Sequence, residues 1–338
     1  MNRENDVPIG DCNTDLSLIS EVGGLVADTW SGLPGPIRKN AWKAFGQLCT
    51  AAIQVPVAVL EGKAAEIRAE TDARVKLIAQ SALQISDGLE VNPAYAQLAA
   101  NKFSNRIVRQ QGNVDKIGKI ASDDLLATST ANSDADIEEI NNDWLNTFER
   151  EAQEKSSEEM QALFGRILSE EIKQPGSFSG HTVRLLGQLD PGAAKLFVRF
   201  CSISLAMGIF EDFDNRVISF GKTPANSIKE YGLNYTNLVL LVEYGLVSAN
   251  LDSTASYQGS ILSNNQARPI VPIRHAGKYW GLRALDSASL SSIEKIRGVS
   301  LTKAGRELAK IIDVEPDESY SKLVVDYFHS VGYQFVEV

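Results

Sequence analysis

The residue types that build most metal and redox sites are scarce in this sequence. Its 338 residues include only three cysteines, three histidines and three methionines. The cysteines and histidines are scattered along the chain, as Cys12, Cys49, Cys201, His181, His275 and His329. An odd number of distant cysteines argues against disulfides and a cysteine-based metal site, and an isolated histidine is usually a surface or hydrogen-bonded core residue. We therefore expect no metal and no cofactor. No signal peptide precedes the cysteines, so we expect the reducing cytoplasm.

A long apolar run is also missing. The one candidate, residues 44–60, has 17 residues and is interrupted by Gln47, Gln54 and Pro56. A membrane-spanning helix needs about 20 apolar residues, so this segment falls short. We expect a buried or oligomer-facing helix kinked at Pro56, and keep open the alternative of a peripheral or conditionally inserted membrane segment.

The sequence lacks a set of residues arranged for catalysis, since no nucleophile is paired with a base and no glycine-rich phosphate loop is present. Two groups come nearest, a serine and histidine group of Ser177, Ser179 and His181, and an acidic group of Glu158, Glu159, Glu170 and Glu171. The serines follow Pro175-Gly176, where a helix-capping loop is the simpler interpretation. The acids lie in an amphipathic helix, whose solvated face normally carries such residues. We expect no catalytic residues and no enzymatic activity.

Composition and charge indicate a globular chain of several domains. Hydrophobic residues make up 43% of the sequence and charged residues 22%, and a chain of this length favours two or three domains. The net charge of −10 is uneven. Residues 134–171 hold twelve acids against three basic residues, whereas residues 216–303 hold ten basic residues against five acids. Such regions can attract each other or face different partners.

Helical periodicity dominates residues 16–127, which follow a polar tail at residues 1–15 that we expect to be disordered. The pattern predicts helices over residues 16–30, 37–60 and 61–85, and from Asn92-Pro93 onward with an irregularity at Gly112. The helix at 61–85 carries a narrow apolar seam of Ala64, Ile67, Val75 and Ile78. Such a seam suits pairing with another helix of this chain or of another copy, so we expect this region to mediate self-association.

A central helical domain is expected at residues 134–205. One predicted helix, at 137–152, presents Ile140, Trp144, Leu145 and Phe148 on one side. The next begins at a capping box of Ser156 and Glu159, ends at Pro175-Gly176, and carries Met160, Leu163, Phe164, Ile167, Leu168 and Ile172. Its apolar side should pack against Trp144 and Phe148. Shorter helices are predicted at 180–188 and, after the cap Asp190-Pro191, at 193–205.

The pattern changes to a small α+β domain over residues 209–338. A predicted helix at 233–244 ends at Gly245, and strands are expected at 246–249, 269–274 and 278–282, with Ala276-Gly277 as the turn between the last two. Residues 255–266 should form a polar loop. Thr302 caps a helix over 302–312, a final helix at 320–331 ends at Gly332, and residues 333–338 can add an edge strand. The predicted fold class is therefore mainly α, with this α+β domain at its C-terminal end.

Part of the last domain resembles a winged-helix module. The resemblance covers about residues 209–315 and rests on Glu243-Tyr244-Gly245-Leu246-Val247, the paired strands and Leu301-Thr302-Lys303-Ala304-Gly305-Arg306-Glu307-Leu308. It implies a recognition helix for the DNA major groove, yet residues 234–244 carry no Lys or Arg, and only Asn234 and Asn237 could read bases. The basic residues of this part lie on the strands and wing, at Arg268, Arg274, Lys278 and Arg283. Any DNA binding would then rest on phosphate contacts.

The central region, over about residues 90–205, contains three anchors in order: Asp143-Trp144-Leu145-Asn146-Thr147-Phe148, the helix that begins near Ser156-Ser157-Glu158-Glu159-Met160, and Pro175-Gly176-Ser177-Phe178-Ser179. On these residues the region is similar to an uncharacterised bacterial family, domain of unknown function 2806. Phe164 and Ser169 stand where we expect Trp and Ala. The same core is similar to the abortive-infection alpha family. The resemblance implies a bacterial cytoplasmic protein linked to phage defence, and it brings no catalytic residues.

Three functions follow as expectations. The favoured one is a non-enzymatic scaffold or adaptor that self-associates, as a homo-oligomer, through its N-terminal helices and contacts a protein through its winged-helix-like end. The alternatives are a DNA-binding regulator and a membrane-acting effector that uses residues 44–60.

Overall fold

The computed structural model describes residues 30, 32–49, 93–128, 137–209, 212–220, 228–263, 267–285 and 295–338. The predicted tail at 1–15, almost all of the helix at 16–30, the second part of the helix at 37–60 and the helix at 61–85 lie outside these residues. The chain divides into two compact units, unit 1 (Met1–Pro175) and unit 2 (Gly176–Val338). The division falls at Pro175, so the predicted helices at 180–188 and 193–205 belong to unit 2.

Unit 1 is helical in its described part. Its helices are α1 (Gly35–Leu48), α2 (Pro93–Thr128), α3 (Asn142–Ala152) and α4 (Glu158–Lys173). The prediction of an irregularity at Gly112 is wrong, because α2, which is 36 residues long, passes through this residue without a break. A glycine inside a helix costs about 1 kcal/mol, which the packing of a long helix readily offsets.

The contact between α2 and α4 forms the centre of unit 1. Val114, Ile117, Ala121 and Leu125 of α2 are buried. The two helices approach closely at Gly165 of α4, where an added Cβ would lie 2.5 Å from the Ile120 Cγ2 atom. The absence of a side chain at Gly165 therefore allows this close approach, which sequence periodicity does not reveal.

The predicted aromatic cluster is present in unit 1. The ring of Phe148 lies 5.2 Å from that of Trp144 and 5.5 Å from that of Phe164, and Phe164 and Ile167 are fully buried. Met160 and Leu163 are only half-buried, so the predicted stripe is narrower than expected.

The caps of α3 and α4 differ from the predictions by a few residues. α3 begins at Asn142 rather than 137, because the side chain of Asn141 accepts from the backbone N–H groups of Asp143 and Trp144. The cap of α4 is Ser157 rather than Ser156, and its hydroxyl accepts from the N–H of Met160. A cap side chain accepts a hydrogen bond from the backbone N–H two or three residues further along the chain. It therefore defines the first residue of a helix, which apolar periodicity locates only to within a few residues.

Unit 2 combines helices with a seven-stranded antiparallel sheet. Its helices are α5 (Gly180–Gln188), α6 (Pro191–Ser202), α7 (Tyr235–Glu243), α8 (Lys303–Ala309) and α9 (Glu318–Ser330), and its strands are β1 (Leu205–Ile209), β2 (Asp212–Ile218), β3 (Ser253–Ser256), β4 (Ile273–His275), β5 (Lys278–Ala284), β6 (Lys295–Ser300) and β7 (Tyr333–Glu337). The strand order is β3-β6-β2-β1-β4-β5-β7. The protein is thus mainly α with an α+β C-terminal region.

Local signals in unit 2 are confirmed. Gly245 and Gly332 follow α7 and α9 with positive φ angles of 69° and 90°, as glycines that end helices do. Ala276 and Gly277 form the tight turn between β4 and β5, with φ angles of 55° and 73°. The side chain of Asp190 caps α6 by accepting from the N–H of Ala193.

The extent of the sheet differs from the predictions. β1 and β2 were not expected, and the predicted helix at 193–205 ends at Ser202, three residues before β1. Residues 255–266 include the end of β3 and a short 3-10 helix rather than a continuous loop. The strand expected at 246–249 is limited to a bridge between Val247 and Leu301. The predicted wing strands β4 and β5 are separated from β6 by β2 and β1.

One face of the sheet packs against α9. Tyr320, Val324 and Phe328 of this helix are fully buried. The ring of Phe328 stacks on Phe335 of β7 at 5.4 Å, and the Tyr320 hydroxyl accepts from the N–H of Ile218 at 2.7 Å. Burial raises the pKa of the Tyr320 phenol well above its usual range, so this hydroxyl stays protonated.

Candidate functional site

The four basic residues predicted to contact nucleic acid are all exposed, but they do not lie on one face. Arg268 precedes β4, Arg274 lies in β4, and Lys278 and Arg283 lie in β5. Side chains alternate along a strand, so Arg274, which pairs with Tyr279, shares a face with Arg283, and Lys278 lies on the other. Lys278 also forms an ion pair with Glu337, with an N–O distance of 2.8 Å.

The asparagines of the expected recognition helix have structural roles. The side chain of Asn234 caps α7 by accepting from the N–H of Asn237 at 3.0 Å. The amide of Asn237 donates to the carbonyl of Gly232 at 2.6 Å. Both groups that could read bases therefore already have partners within the protein.

In the serine and histidine group, Ser179 has a structural role. The Ser179 hydroxyl caps α5 and accepts from the N–H of Thr182, and His181 is exposed. The buried carboxylate of Glu307 completes this cap, because it accepts from the Ser179 N–H at 2.8 Å and from the Thr182 hydroxyl at 2.5 Å. The capping interpretation of this loop is confirmed.

The acidic group of α4 is only partly a solvated face. Glu158 and Glu159 are exposed in the first turn, and Glu170 pairs with Lys173 at 2.7 Å. Glu171 is 2% exposed, so the prediction that it faces solvent is wrong. Its neighbour Ile172 is fully buried, because the end of α4 is enclosed on more sides than its start.

A cleft of about 590 Å³ with several polar lining residues lies within unit 2. Its floor and walls include Cys201, Ser204, Ala206, Asn215 and His275, and its rim includes Arg274, Lys310, Asp313 and Glu315. The floor residues come from the end of α6 and from β1, β2 and β4, and the rim residues come mainly from the segment after α8. Its volume falls in the range of small-molecule sites.

The sheet itself forms the floor of this cleft. Ala206 of β1 pairs with Asn215 on one side and with Arg274 on the other, so the three side chains lie on one face in a row. The small side chain of Ala206 leaves space between two longer polar ones. Asn215 is 9% exposed, and within the described part of the chain its side-chain amide has no hydrogen-bond partner.

Two other reactive groups line the cleft: His275, which is hydrogen-bonded, and Cys201, whose thiol is protonated. The Nδ1 atom of His275 lies 3.3 Å from the Ser204 carbonyl and its Nε2 atom lies 2.9 Å from the Ser321 hydroxyl. Burial lowers the pKa of His275 below its ordinary value, so the ring is neutral at pH 7. Burial raises the pKa of the Cys201 thiol to about 12, which leaves no thiolate at neutral pH.

His275 should make the stability of unit 2 depend on pH. Its pKa is lower in the folded than in the unfolded state, so below about pH 6.5 only the unfolded chain gains a proton at this residue. The stabilising contribution is complete above that pH and is lost as the pH falls toward the folded pKa. Denaturant unfolding between about pH 7.5 and 5.5 should therefore show a smaller loss of stability in His275→Gln than in wild type. The exposed His329→Gln serves as the control, and identical pH slopes in all three proteins would contradict the assignment.

A second surface, on α2 of unit 1, is exposed and apolar. Phe103 and Ile107 precede the buried Val114, Ile117 and Ala121 at intervals of three, four or seven residues, which places all five on one helix face. Phe103 is 61% exposed and Ile107 is 47% exposed. We call these two residues the α2 stripe.

No metal site or membrane span occurs among the described residues. No three histidine, cysteine, aspartate or glutamate side chains of that set are grouped to hold an ion. None of the described helices combines the length and the apolar character that crossing a membrane requires. Of the predicted apolar segment, Ala44, Phe45 and Leu48 lie in α1 and are buried in unit 1, and residues 50–60 lie outside the described residues.

Comparison with known proteins gives a family but no activity. No curated protein and no solved structure matches the chain at a significant level. Residues 97–325 match the family described as "Protein of unknown function (DUF2806)", and this match spans about two-thirds of the sequence and extends through both units. The chain therefore belongs to the DUF2806 family.

Proposed function

We propose that the protein is a non-enzymatic scaffold or adaptor that self-associates through its N-terminal helical region and uses its C-terminal unit, with its winged-helix-like part, to contact a partner protein. The α2 stripe is the observation that carries the proposal. It continues the core-facing side of α2 beyond the point where the described helices of unit 1 cover it. Leaving two large apolar side chains in water forgoes the stabilisation that their burial gives, so the stripe favours an interface.

A second copy of the chain is the occupant that we propose for the stripe. Its spacing continues the three- and four-residue seam of Val114 and Ile117, and this is the spacing by which helices pair. Charge supports the same occupant. Residues 93–114 contain Lys102, Arg106 and Arg109 and no acid, whereas residues 134–171 of another copy have nine more acids than bases. Oppositely charged surfaces favour encounter and orientation of the two copies.

The cellular role that we propose for this scaffold rests on the resemblance of its central core to a known family. Similarity of the central core to the abortive-infection alpha family supports a role in bacterial phage defence, in the cytoplasm, where the protein would sense or block a phage component. Action at a membrane through residues 44–60 is a less favoured effector mechanism, because the first part of that segment belongs to the core of unit 1.

DNA binding by the winged-helix-like part is the second alternative. The exposed Arg268, Arg274 and Arg283 support phosphate contacts, whose affinity comes from charge. Base reading is disfavoured, because the side chains of Asn234 and Asn237 already form hydrogen bonds within the protein. A continuous basic surface is disfavoured too, because Lys278 is paired with Glu337. We therefore rank this function below the scaffold.

Amide hydrogen exchange on the full-length protein tests the proposed interface. If a second copy covers the stripe, exchange of amides in residues 95–110 should slow as the concentration rises from about 1 to 100 µM, by mass action. Amides of α9 should not respond and serve as an internal control. In Phe103→Asp the concentration dependence should vanish. Exchange at 95–110 that is independent of concentration in the wild type would overturn the proposal.

A further inference from the structure

The cleft of unit 2 has the polar groups of a ligand site. Asn215 offers an NH₂ donor group and a carbonyl acceptor from a residue that is 9% exposed, and within the described residues no protein group uses either. The amide atoms are not fully enclosed and reach the open space of the cleft. An amide that faces open space on the floor of a cleft of about 590 Å³ can form hydrogen bonds to a bound ligand.

The complementary group on the ligand follows from the chemistry of an amide. An asparagine side chain pairs best with a group that offers an acceptor beside a donor, as a peptide bond does. Ala206 opens the space for such a group, because its methyl side chain is the only one between Asn215 and Arg274 across the three strands.

The rim adds one free charge of each sign. Lys310 and Glu315 are both exposed, and within the described part of the chain neither side chain forms an ion pair or hydrogen bond. Lys310 can attract a carboxylate and Glu315 an ammonium group. The ends of α6 and α8 also lie at the cleft, and helix C-termini favour positive charge.

We propose that this cleft binds a short peptide or an amino acid in its zwitterionic form. The ammonium group lies at Glu315, the carboxylate at Lys310 and an amide group at Asn215. A nucleotide is a poorer match, because it carries no ammonium group to pair with Glu315. An apolar ligand would leave Asn215 without a partner.

Calorimetric titration of the full-length protein tests the proposal with four probes: alanine, alanyl-alanine, N-acetylalanine amide and adenosine monophosphate. Alanyl-alanine should bind most tightly, alanine should bind more weakly, and the blocked amide should bind at least tenfold more weakly than alanyl-alanine. No binding of alanyl-alanine at about 10 mM would overturn the proposal, since affinities weaker than millimolar give little binding energy. Tighter binding of the nucleotide than of alanyl-alanine would overturn it too.

Two variants test whether the peptide binds in the cleft or at another site. Asn215→Leu should weaken alanyl-alanine binding at least tenfold, and Glu315→Gln at least threefold. Glu315 lies on the surface without described partners, so its variant keeps the test valid if Asn215→Leu does not fold. Asn105→Leu on α2 and Glu230→Gln elsewhere in unit 2 are matched controls that should bind as wild type does. Unchanged affinity in Glu315→Gln would place the peptide elsewhere and contradict the proposal.

Discussion

Replacing Arg216 by methionine is expected to lower the free energy of unfolding by about 3–5 kcal/mol. Arg216 lies in β2 and is 3% exposed. Its Nε atom donates to the carboxylate of Asp214 at 2.7 Å, and its Nη1 atom donates to the carbonyls of Ser253 at 3.0 Å and Ile296 at 3.3 Å. The guanidinium thus ties β2 to β3 and β6. Its removal leaves a buried carboxylate and two carbonyls without these donors.

Denaturant unfolding followed by fluorescence measures this effect. Trp280 reports on unit 2, and the other tryptophans belong to unit 1. Arg297→Met is the control, since Arg297 lies on the adjacent strand β6 but is exposed and forms only a surface pair with Asp252 at 3.5 Å. The double variant Asp214→Leu with Arg216→Met should recover part of the loss. A midpoint for Arg216→Met equal to that of Arg297→Met would contradict this account of the sheet.

Replacing Phe164 by alanine is expected to cost a similar amount, about 3–5 kcal/mol. Its ring is fully buried in unit 1 and packs against Phe148, which in turn stacks on Trp144. The substitution removes the apolar contacts of the ring and leaves a cavity between α3 and α4. The close approach of α4 to α2 at Gly165 limits how far α4 can move to fill it.

Met160→Ala is the matched control for Phe164→Ala. Met160 lies on the same helix but is only half-buried, so its truncation should cost clearly less. Far-ultraviolet circular dichroism during denaturation gives both midpoints. If Phe164→Ala unfolds at the same denaturant concentration as wild type, the aromatic cluster does not stabilise unit 1 as described.

Helix ends and tight turns could be predicted from the sequence because their causes are local. Asp190-Pro191, Thr302 and Gly245 act through hydrogen bonds or φ angles within a few residues, and each occupies its predicted position. The cap at Ser157 was displaced by one residue because two adjacent serines precede α4, and either one satisfies the sequence pattern.

The sheet could not be predicted to the same extent, because strand pairing is set by distant residues. Leu205-Ala206-Met207 follows α6 after two residues and continues its apolar character, so periodicity alone extends the helix. This segment forms a strand instead, because it pairs with β2 and β4 in the folded protein. The cleft was missed for the same reason, since Ala206, Asn215 and Arg274 are brought together only by the register of three strands.

The sequence was enough to assign the family but not the function. The anchors Trp144, Phe148 and Phe164 could be recognised because they recur in order within a short stretch, and membership of the DUF2806 family is confirmed. The burial of Glu171 and the exposure of Phe103 depend on which helices cover each face, and periodicity does not determine that. The scaffold function therefore stays a proposal that rests on an exposed surface.

Sedimentation equilibrium of the full-length protein tests the scaffold proposal most directly. The chain has a mass of 36.8 kDa, and the proposal predicts a multiple of this value for the wild type at micromolar concentration. Phe103→Asp should return the mass to 36.8 kDa, whereas Ile270→Asp, at a still more exposed apolar position in unit 2, should not. A wild-type mass of 36.8 kDa at that concentration, or an assembly that Phe103→Asp leaves intact, would contradict self-association through α2.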